Sequence, residues 1–345
     1  MKSKQVTIKD IAKALNISPS TVSRALKDHP DISAETKKLV NDLSEKLNYE
    51  PNPIALSLRS QKTNTIGVII PEIVHFFFST VISGIEEVAY DAGYSVMFCQ
   101  SNESYEKEVI DTKALLYHRV DGLLVSYSRE TKNFDHFKQV QSRNVPLVFF
   151  DRTPKDIEAP KIIINDEQAG NSATLHLIDQ GCKKIAHLAG PLALQISQKR
   201  LDGYKKALQA HKIEINDSYI IDCGHGNKEE GYASMKELLA LKEIPDGVFA
   251  NNDIAAYGAM IAIKEAGLHI PDDIAVVGFS NWQFSSLIEP QLSSIAQPGL
   301  EMGRAAARIL IEQMNASDDE FSNITKTLPT DLIIRASSLK KRKKS

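Results

Sequence analysis

Apolar residues in the first fifty positions recur at helical spacing in three short runs. Ile8, Ile11, Ala12 and Leu15 share one face of a predicted helix that starts at Thr7, where Thr7 and Asp10 stand at capping-box spacing. Asn16 to Ser18 leaves only a tight turn before a second helix. There Ser18 is placed to cap, Pro19 suits the first helical position, and Val22 and Leu26 fall together at i, i+4. Pro19, Ser20, Ser23 and Arg24 point elsewhere, giving this helix a dry side and a polar side with an exposed arginine. Ser33 caps a third helix whose Ala34, Val40, Leu43 and Leu47 close a three-helix core. The pattern predicts a helix-turn-helix with the second helix as groove reader; the plainer alternative is a helical hairpin.

From Ile66 the pattern changes. Short apolar runs alternate with amphipathic helical ones: strands over 66–70, 94–99, 122–126 and 146–150 are separated by helices over 77–91, 105–118 and 133–143. The rhythm restarts with strands at 161–164, 184–188, 218–222, 247–250 and 274–278 and helices at 167–180, 197–211, 228–241 and 253–266. Such alternation predicts parallel sheets with helices on both faces, and its near-duplication predicts two doubly wound lobes. A strand at 292–295, a helix at 299–314 and a last strand at 327–334 complete the chain.

Charge sharpens this division. The whole chain is near neutral at −3, but residues 1–62 carry 11 Lys and Arg against 7 Asp and Glu, while the remainder carries 30 against 37. Five of those 30 crowd into Lys340–Lys344. A basic head on an acidic body fits a head that meets phosphates. Cys99, Cys182 and Cys223 lack metal-ligand spacing and read as reduced thiols. No signal-like segment precedes the first motif and no apolar run approaches membrane-spanning length, so a cytoplasmic protein with no membrane partner is expected.

Between the two parts, Tyr49 to Pro53 breaks the chain, Asn52 and Pro53 restart it, and 54–59 reads as a helix too short to be stable alone. With Thr7-Ile-Lys-Asp-Ile-Ala12, Ser20-Thr-Val-Ser-Arg24, Tyr49, Pro51-Asn52 and Ala55-x-Ser-Leu58 in this order, the chain resembles the lactose-repressor (LacI/GalR) family of bacterial transcription regulators over nearly its whole length. The resemblance implies an all-α helix-turn-helix head at 1–50, a hinge helix and linker at 51–64, and a two-lobed, periplasmic-binding-protein-like α/β body at 65–338. A basic tail fills 339–345. The first lobe would comprise about 65–158 and 284–320, the second about 159–283 and 321–338, with three crossings. The leucine heptad that ends tetrameric members is missing, so a homodimer is expected.

For DNA, Arg24 is the expected base reader, since a guanidinium reaches guanine O6 and N7 with two hydrogen bonds. Pro19 and Ser20 match the family's variable specificity positions. Thr7, Thr21 and Ser23 suit phosphate contacts, although Thr7 can equally do no more than cap its helix. The resemblance makes Leu58 a minor-groove wedge, with Asn52, Ala55 and Arg59 lining the same groove; Leu56, where the family has arginine or glutamine, departs from the pattern. A palindromic duplex operator with a central pyrimidine–purine step is implied.

For a small molecule, a cleft is expected at the carboxyl ends of the strands. Asp151, Asn252 and Asp253 follow strands, and Arg200 lies early in a helix, at positions where family members grip an effector. An arginine with carboxylates and an amide suits hydroxyl-rich ligands. Phe77 and Phe78 supply an apolar wall or merely start a core helix; Arg200 and Asp253 have an interlobe or helix-end ion pair as their alternative. The family's Gly-Tyr-Asp is Gly278-Phe-Ser280 here, so Ser280 stands where a carboxylate is usual, and Trp282 offers a stacking face. Leu194, Ile196 and Gly226 replace polar or aromatic family positions. A sugar, sugar phosphate or nucleoside-like effector fits, controlling affinity by changing the angle between lobes.

Enzyme chemistry is not expected. No phosphate-loop or dinucleotide fingerprint occurs, His75 and His187 have no partner at metal spacing, and no cofactor is called for. The remaining rivals to a ligand-responsive repressor are an activator of the same fold and a soluble sugar-binding protein without a DNA role. The first sixty residues argue against the latter.

Overall fold

The computed structural model describes residues 6–49, 62–74, 76–316 and 323–340. The expected hinge contacts Asn52, Ala55, Leu58 and Arg59, together with His75 and the tail 341–345, lie outside the described residues. The chain divides into two units, Met1–Thr63 and Asn64–Ser345.

In the first unit, α1 (Ile8–Leu15), α2 (Pro19–Ala25) and α3 (Ala34–Lys46) form as the caps dictate. The Asp10 carboxylate accepts from the Thr7 amide at 2.8 Å and hydroxyl at 2.6 Å. Asn16, at φ 51°, takes the left-handed conformation that ends α1. Ser18 Oγ accepts from the Thr21 amide at 3.0 Å and Ser33 Oγ from the Thr36 amide at 3.3 Å. Ile11, Ala12, Val22, Ala25 and Val40 are buried together, with Leu43, Leu47 and Tyr49 packed around them. Ala34, expected in this core, is exposed: it opens α3 on the outer side, and Ile32 packs there instead.

The second unit holds two six-stranded sheets. The first runs β11-β5-β4-β3-β1-β2, all parallel, and the second β12-β10-β9-β8-β6-β7, with only β12 antiparallel. Strands β1 (Thr65–Ile70), β2 (Ser95–Gln100), β3 (Gly122–Val125), β4 (Leu147–Phe150), β5 (Lys161–Ile164) and β11 (Thr325–Leu328) build the first lobe. It also carries α4 (Phe76–Asp91), α5 (Tyr105–Tyr117), α6 (Asp135–Ser142) and α11 (Gly299–Asn315). The second lobe is built from β6 (Ile185–Ala189), β7 (Ile220–Asp222), β8 (Gly247–Ala250), β9 (Ala275–Phe279), β10 (Ser293–Ala296) and β12 (Asp331–Ile333). Its helices are α7 (Asp166–Asp179), α8 (Gln195–Ala210), α9 (Lys228–Leu239) and α10 (Asp253–Glu265). The central strands are buried throughout because helices cover both faces.

The lobe boundaries differ from those expected. β5, assigned to the second lobe, pairs with β4 in the first sheet, and β10, assigned to the first lobe, pairs with β9 in the second. The expected strand at 327–334 is two strands in different sheets, β11 beside β5 and β12 beside β10. Pro329 lies between them, and a residue without an amide proton cannot continue a ladder. The chain therefore crosses between lobes after β5, after β10 and after β11.

Helices meet closely where glycines face backbone. A Cβ on Gly170 of α7 would lie 2.4 Å from the Arg200 carbonyl oxygen, and one on Gly203 of α8 would lie 2.0 Å from that of Glu167.

Candidate functional site

On the first unit, Pro19, Ser20 and Arg24 lie exposed on the side of α2 away from Val22 and Ala25, as a groove-reading surface requires. Thr21 and Ser23 are half-buried at its flank. The hydroxyls of Thr7 and Thr21 already have partners: Thr7 donates to Asp10, and Thr21 shares a 2.9 Å hydrogen bond with Ser18. The capping role is thus realised for Thr7, while Thr21 lies in the first turn of α2, which Ser18 caps.

On the second unit, the loops after the strands of both lobes enclose a cleft of about 290 Å³. All eight expected residues line it: Phe77, Phe78, Asp151, Arg200, Asn252, Asp253, Ser280 and Trp282. Their surroundings give them different work. Asp151, directly after β4 at φ 59°, is 7% exposed, and its carboxylate has no hydrogen-bond partner among the described residues. The nearest cationic nitrogen, Arg152 Nε, stands 4.0 Å away, too far to donate. Burial pushes the Asp151 pKa up to about 6, against the pull of Arg152 and Arg200. Arg200 is 4% exposed. Its Nε donates to Asp166 at 2.8 Å, its Nη1 to the Asn251 carbonyl at 2.9 Å, and its guanidinium lies 3.6 Å over the Phe279 ring. The ion-pair alternative for Arg200 holds, within one lobe, while the residue still faces the cleft.

Asp253 differs from expectation. Its oxygens accept from the Trp282 amide at 2.5 Å, Ser285 Oγ at 2.9 Å and Ser294 Oγ at 2.6 Å. Burial lifts its pKa to about 6, less than it would without these donors. A carboxylate so occupied positions the turn that carries Trp282 rather than gripping a ligand itself. Asn252 caps α10 through the Ala255 amide at 2.8 Å. Ser280, at φ 101°, donates to Gln297 at 2.6 Å, and Trp282 stands edge-on to Phe284 at 4.8 Å. Phe77 and Phe78 pack edge-to-face at 5.2 Å and serve both as core and as cleft wall.

Several cleft residues escaped the sequence. Glu103, after β2, takes a two-pronged pair from Arg152 at 2.7 and 2.9 Å and also the Arg129 amide at 2.8 Å. Burial pushes the Glu103 carboxyl up, but Arg152 and Arg129 outweigh it and hold the carboxyl below its ordinary value. Ser197 Oγ, Asn251 Oδ1 and Gln297 Nε2, all at the cleft, are buried without hydrogen-bond partners among the described residues. Attention to the residue directly after each strand, which points to Asp151, also reaches Asn251; Arg152 lies one place further along its loop and Glu103 two. Among the described residues no cluster of His, Cys, Asp and Glu could hold a metal ion, and no helix is long and apolar enough to cross a membrane.

This arrangement can bind a polar molecule and exchange hydrogen bonds with it. Comparison with known proteins agrees. A family model described as bacterial regulatory proteins, lacI family, matches residues 7–52, and one described as periplasmic binding protein-like domain matches 174–338. The chain is 34% identical over 311 residues to catabolite control protein A of Priestia megaterium, spanning 90% of this chain and 93% of that relative. It is also 34% identical over 314 residues to the HTH-type transcriptional repressor PurR of Vibrio atlanticus, spanning 91% and 93%. Among solved structures, the lac repressor dimer bound to operator and the anti-inducer ONPF matches with a TM-score of 0.86 at 28% identity, over 97% of this chain and 100% of that one. The regulator CelR in complex with cellobiose gives 0.74 at 25%, over 96% and 100%. A LacI family regulator from Enterococcus faecium with bound ribose gives 0.70 at 28%, over 79% and 98%.

Proposed function

The chain belongs to the LacI family of bacterial regulatory proteins, a DNA-binding transcriptional repressor with an effector-binding body, and from this we propose that it binds a palindromic operator as a homodimer under the control of an uncharged sugar. The observation that carries the effector reading is the Asp151 carboxylate, buried at the cleft without an internal donor. Vicinal hydroxyls would satisfy it, together with the unpartnered Ser197, Asn251 and Gln297 atoms. A phosphate ester is a poorer match. Arg152 and Arg200 are committed to Glu103 and Asp166, while Glu72, Asp151 and Asp253 add negative charge to the lining. Relatives solved with cellobiose and with ribose support the same class.

The dimer reading rests on exposed apolar side chains: Phe98 on edge strand β2, Tyr90, Ile110 and Tyr117 on the helices beside it, and Phe284 and Leu287 on the second lobe. Arg24, Pro19 and Ser20 then read the major groove, with Thr7, Thr21 and Ser23 at phosphates. Asn52, Ala55, Leu58 and Arg59 enter the central minor groove, carried over from the family motif. The protein acts in the cytoplasm on chromosomal DNA. Coupling is reciprocal: an effector that weakens operator binding is itself held less tightly by the operator complex.

Selection of sites from a random duplex pool with the full-length protein tests this reading, followed by a panel of neutral sugars, sugar phosphates and nucleosides on the selected site. A palindrome with a central pyrimidine–purine step whose binding responds to a neutral sugar is expected. No enriched site, with or without a metabolite extract, refutes the DNA reading. A response confined to phosphates or nucleosides refutes the sugar.

A further inference from the structure

The two lobes touch beside the cleft through groups other than those assigned to the effector. Arg129, on the loop between β3 and α6 of the first lobe, places Nη2 2.6 Å from Nδ1 of His225, on the turn between β7 and α9 of the second. A guanidinium only donates, so Nδ1 is the acceptor in this contact. Both residues line the cleft, and His225 is exposed at its solvent edge. Alongside, Leu194 from the second lobe is 3% exposed and belongs to an apolar cluster otherwise built from first-lobe residues, including Tyr127, Phe137 and Phe149; Ile196 packs against the same cluster.

Each end of this contact is fixed. The Arg129 amide donates to Glu103 at 2.8 Å. The rest of its loop is tied to a fully buried carboxylate, Glu108, which accepts from the Ser128 amide at 2.5 Å, Thr131 Oγ1 at 2.7 Å and His136 Nε2 at 2.9 Å. On the other side His225 sits between Gly224 and Gly226, at φ 50° and 71°, and the turn closes through the Gly226 amide on the Cys223 carbonyl at 2.7 Å. Leu194 is held by its amide on the Pro191 carbonyl at 3.0 Å. A chance encounter of long surface side chains would have no such support on both sides.

We infer that Arg129, His225 and the Leu194–Ile196 plug form a clasp that holds the effector-free body closed and thereby sets the effector concentration at which the repressor responds. The chain supplies this closure from its own apolar surface. Exposing one such leucine shifts an open–closed equilibrium by about a factor of ten or more. Effector must part the clasp to bind, so its apparent affinity is scaled down to the fraction that is open. Loosening the clasp restores that affinity.

Trp282, the only tryptophan of the chain, lines the cleft and reports the closure directly. Acrylamide quenching of its emission in the full-length protein, without DNA or effector, should rise about two- to threefold in H225A, in R129Q and in L194A as the open population grows. Because H225A and R129Q alter side chains at the rim of the cleft and outside the apolar core, their urea midpoints should stay at the wild-type value, separating opening from unfolding. Wild-type quenching in H225A and R129Q, with L194A either unchanged or altered only in step with its unfolding midpoint, overturns the clasp. That outcome would leave the repressor reading intact, since neither operator nor effector takes part in the measurement.

Discussion

Replacing Asp151 with asparagine should make the effector-free protein more stable and a poorer sugar binder at once. The position sits at φ 59°, which asparagine tolerates better than most residues, so the backbone has no reason to move. Asp151 is 7% exposed and carries its charge without a hydrogen-bond donor among the described residues. Burial moves its carboxyl from 3.8 to about 6, and at roughly 1.4 kcal/mol per pH unit this is a cost of about 3 kcal/mol at pH 7. The sign follows from proton counting. Between about pH 4 and pH 6 the folded protein holds this proton while the unfolded chain releases it, so the stability owed to this group falls as pH rises through that window. The amide introduced by D151N has nothing to titrate.

The gain of D151N should therefore be close to zero at pH 3.5, about 1.5 kcal/mol at pH 5 and about 3 kcal/mol above pH 7. Urea unfolding of both proteins across that range measures it, provided the slopes with denaturant agree. Equal stability at pH 7, or a gap that does not close toward acid, would refute the claim that burial penalises this charge. Sugar binding by the same variant should weaken about tenfold, because an amide offers one acceptor where the carboxylate offers two charged ones.

Other consequences follow from the same geometry. R200M leaves Asp166 buried without its partner and should cost about 3–5 kcal/mol in urea unfolding; adding D166N should recover much of that loss, and failure to recover would mean the pair is not the origin. G170A forces a methyl against the Arg200 backbone and should lower stability by about 1–3 kcal/mol, with reduced sugar response in calorimetry. R24A should weaken binding to the selected operator by about 1–3 kcal/mol in fluorescence anisotropy with little loss on random duplex; equal loss on both would make Arg24 a phosphate contact. L58A should likewise spare most of the salt-dependent, non-specific part of binding.

Local rules found the local structure. Strands at 161–164 and 247–250 have the bounds their apolar runs predicted, and the Ser18 and Ser33 caps form as their chemistry requires. Membership of a sheet is not local. β5 read as a member of the lobe whose rhythm it opens, and the family resemblance placed β10 in the first lobe, yet each is the last strand before a crossing, and periodicity carries no sign of where a chain changes sides. Pro329 did mark the break between β11 and β12, and a stricter use of proline would have split that strand. For the cleft, the positions after strands were legible, but the division of labour among them was not. Only the distances show that Asp253 commits its oxygens to the turn carrying Trp282, whereas Asp151 keeps its own free.

The free carboxylate belongs to a wider pattern. Glu103, Asp151 and Ser280, at φ 61°, 59° and 101°, are non-glycine residues held in left-handed or still less favourable backbone, and all three line the cleft. The unpartnered Ser197, Asn251 and Gln297 atoms lie there too. Strain and unmet hydrogen bonds each cost stability, and a body with so much buried apolar sheet has no structural need of either. Their concentration where two lobes meet is what a binding site demands: groups fixed in place before the ligand arrives, with their hydrogen bonds still to be made. Asp151 comes from the first lobe and Ser197, Asn251 and Ser280 from the second, so the site spans both. An effector that satisfies these atoms therefore acts where small changes in contact most readily alter the angle between lobes.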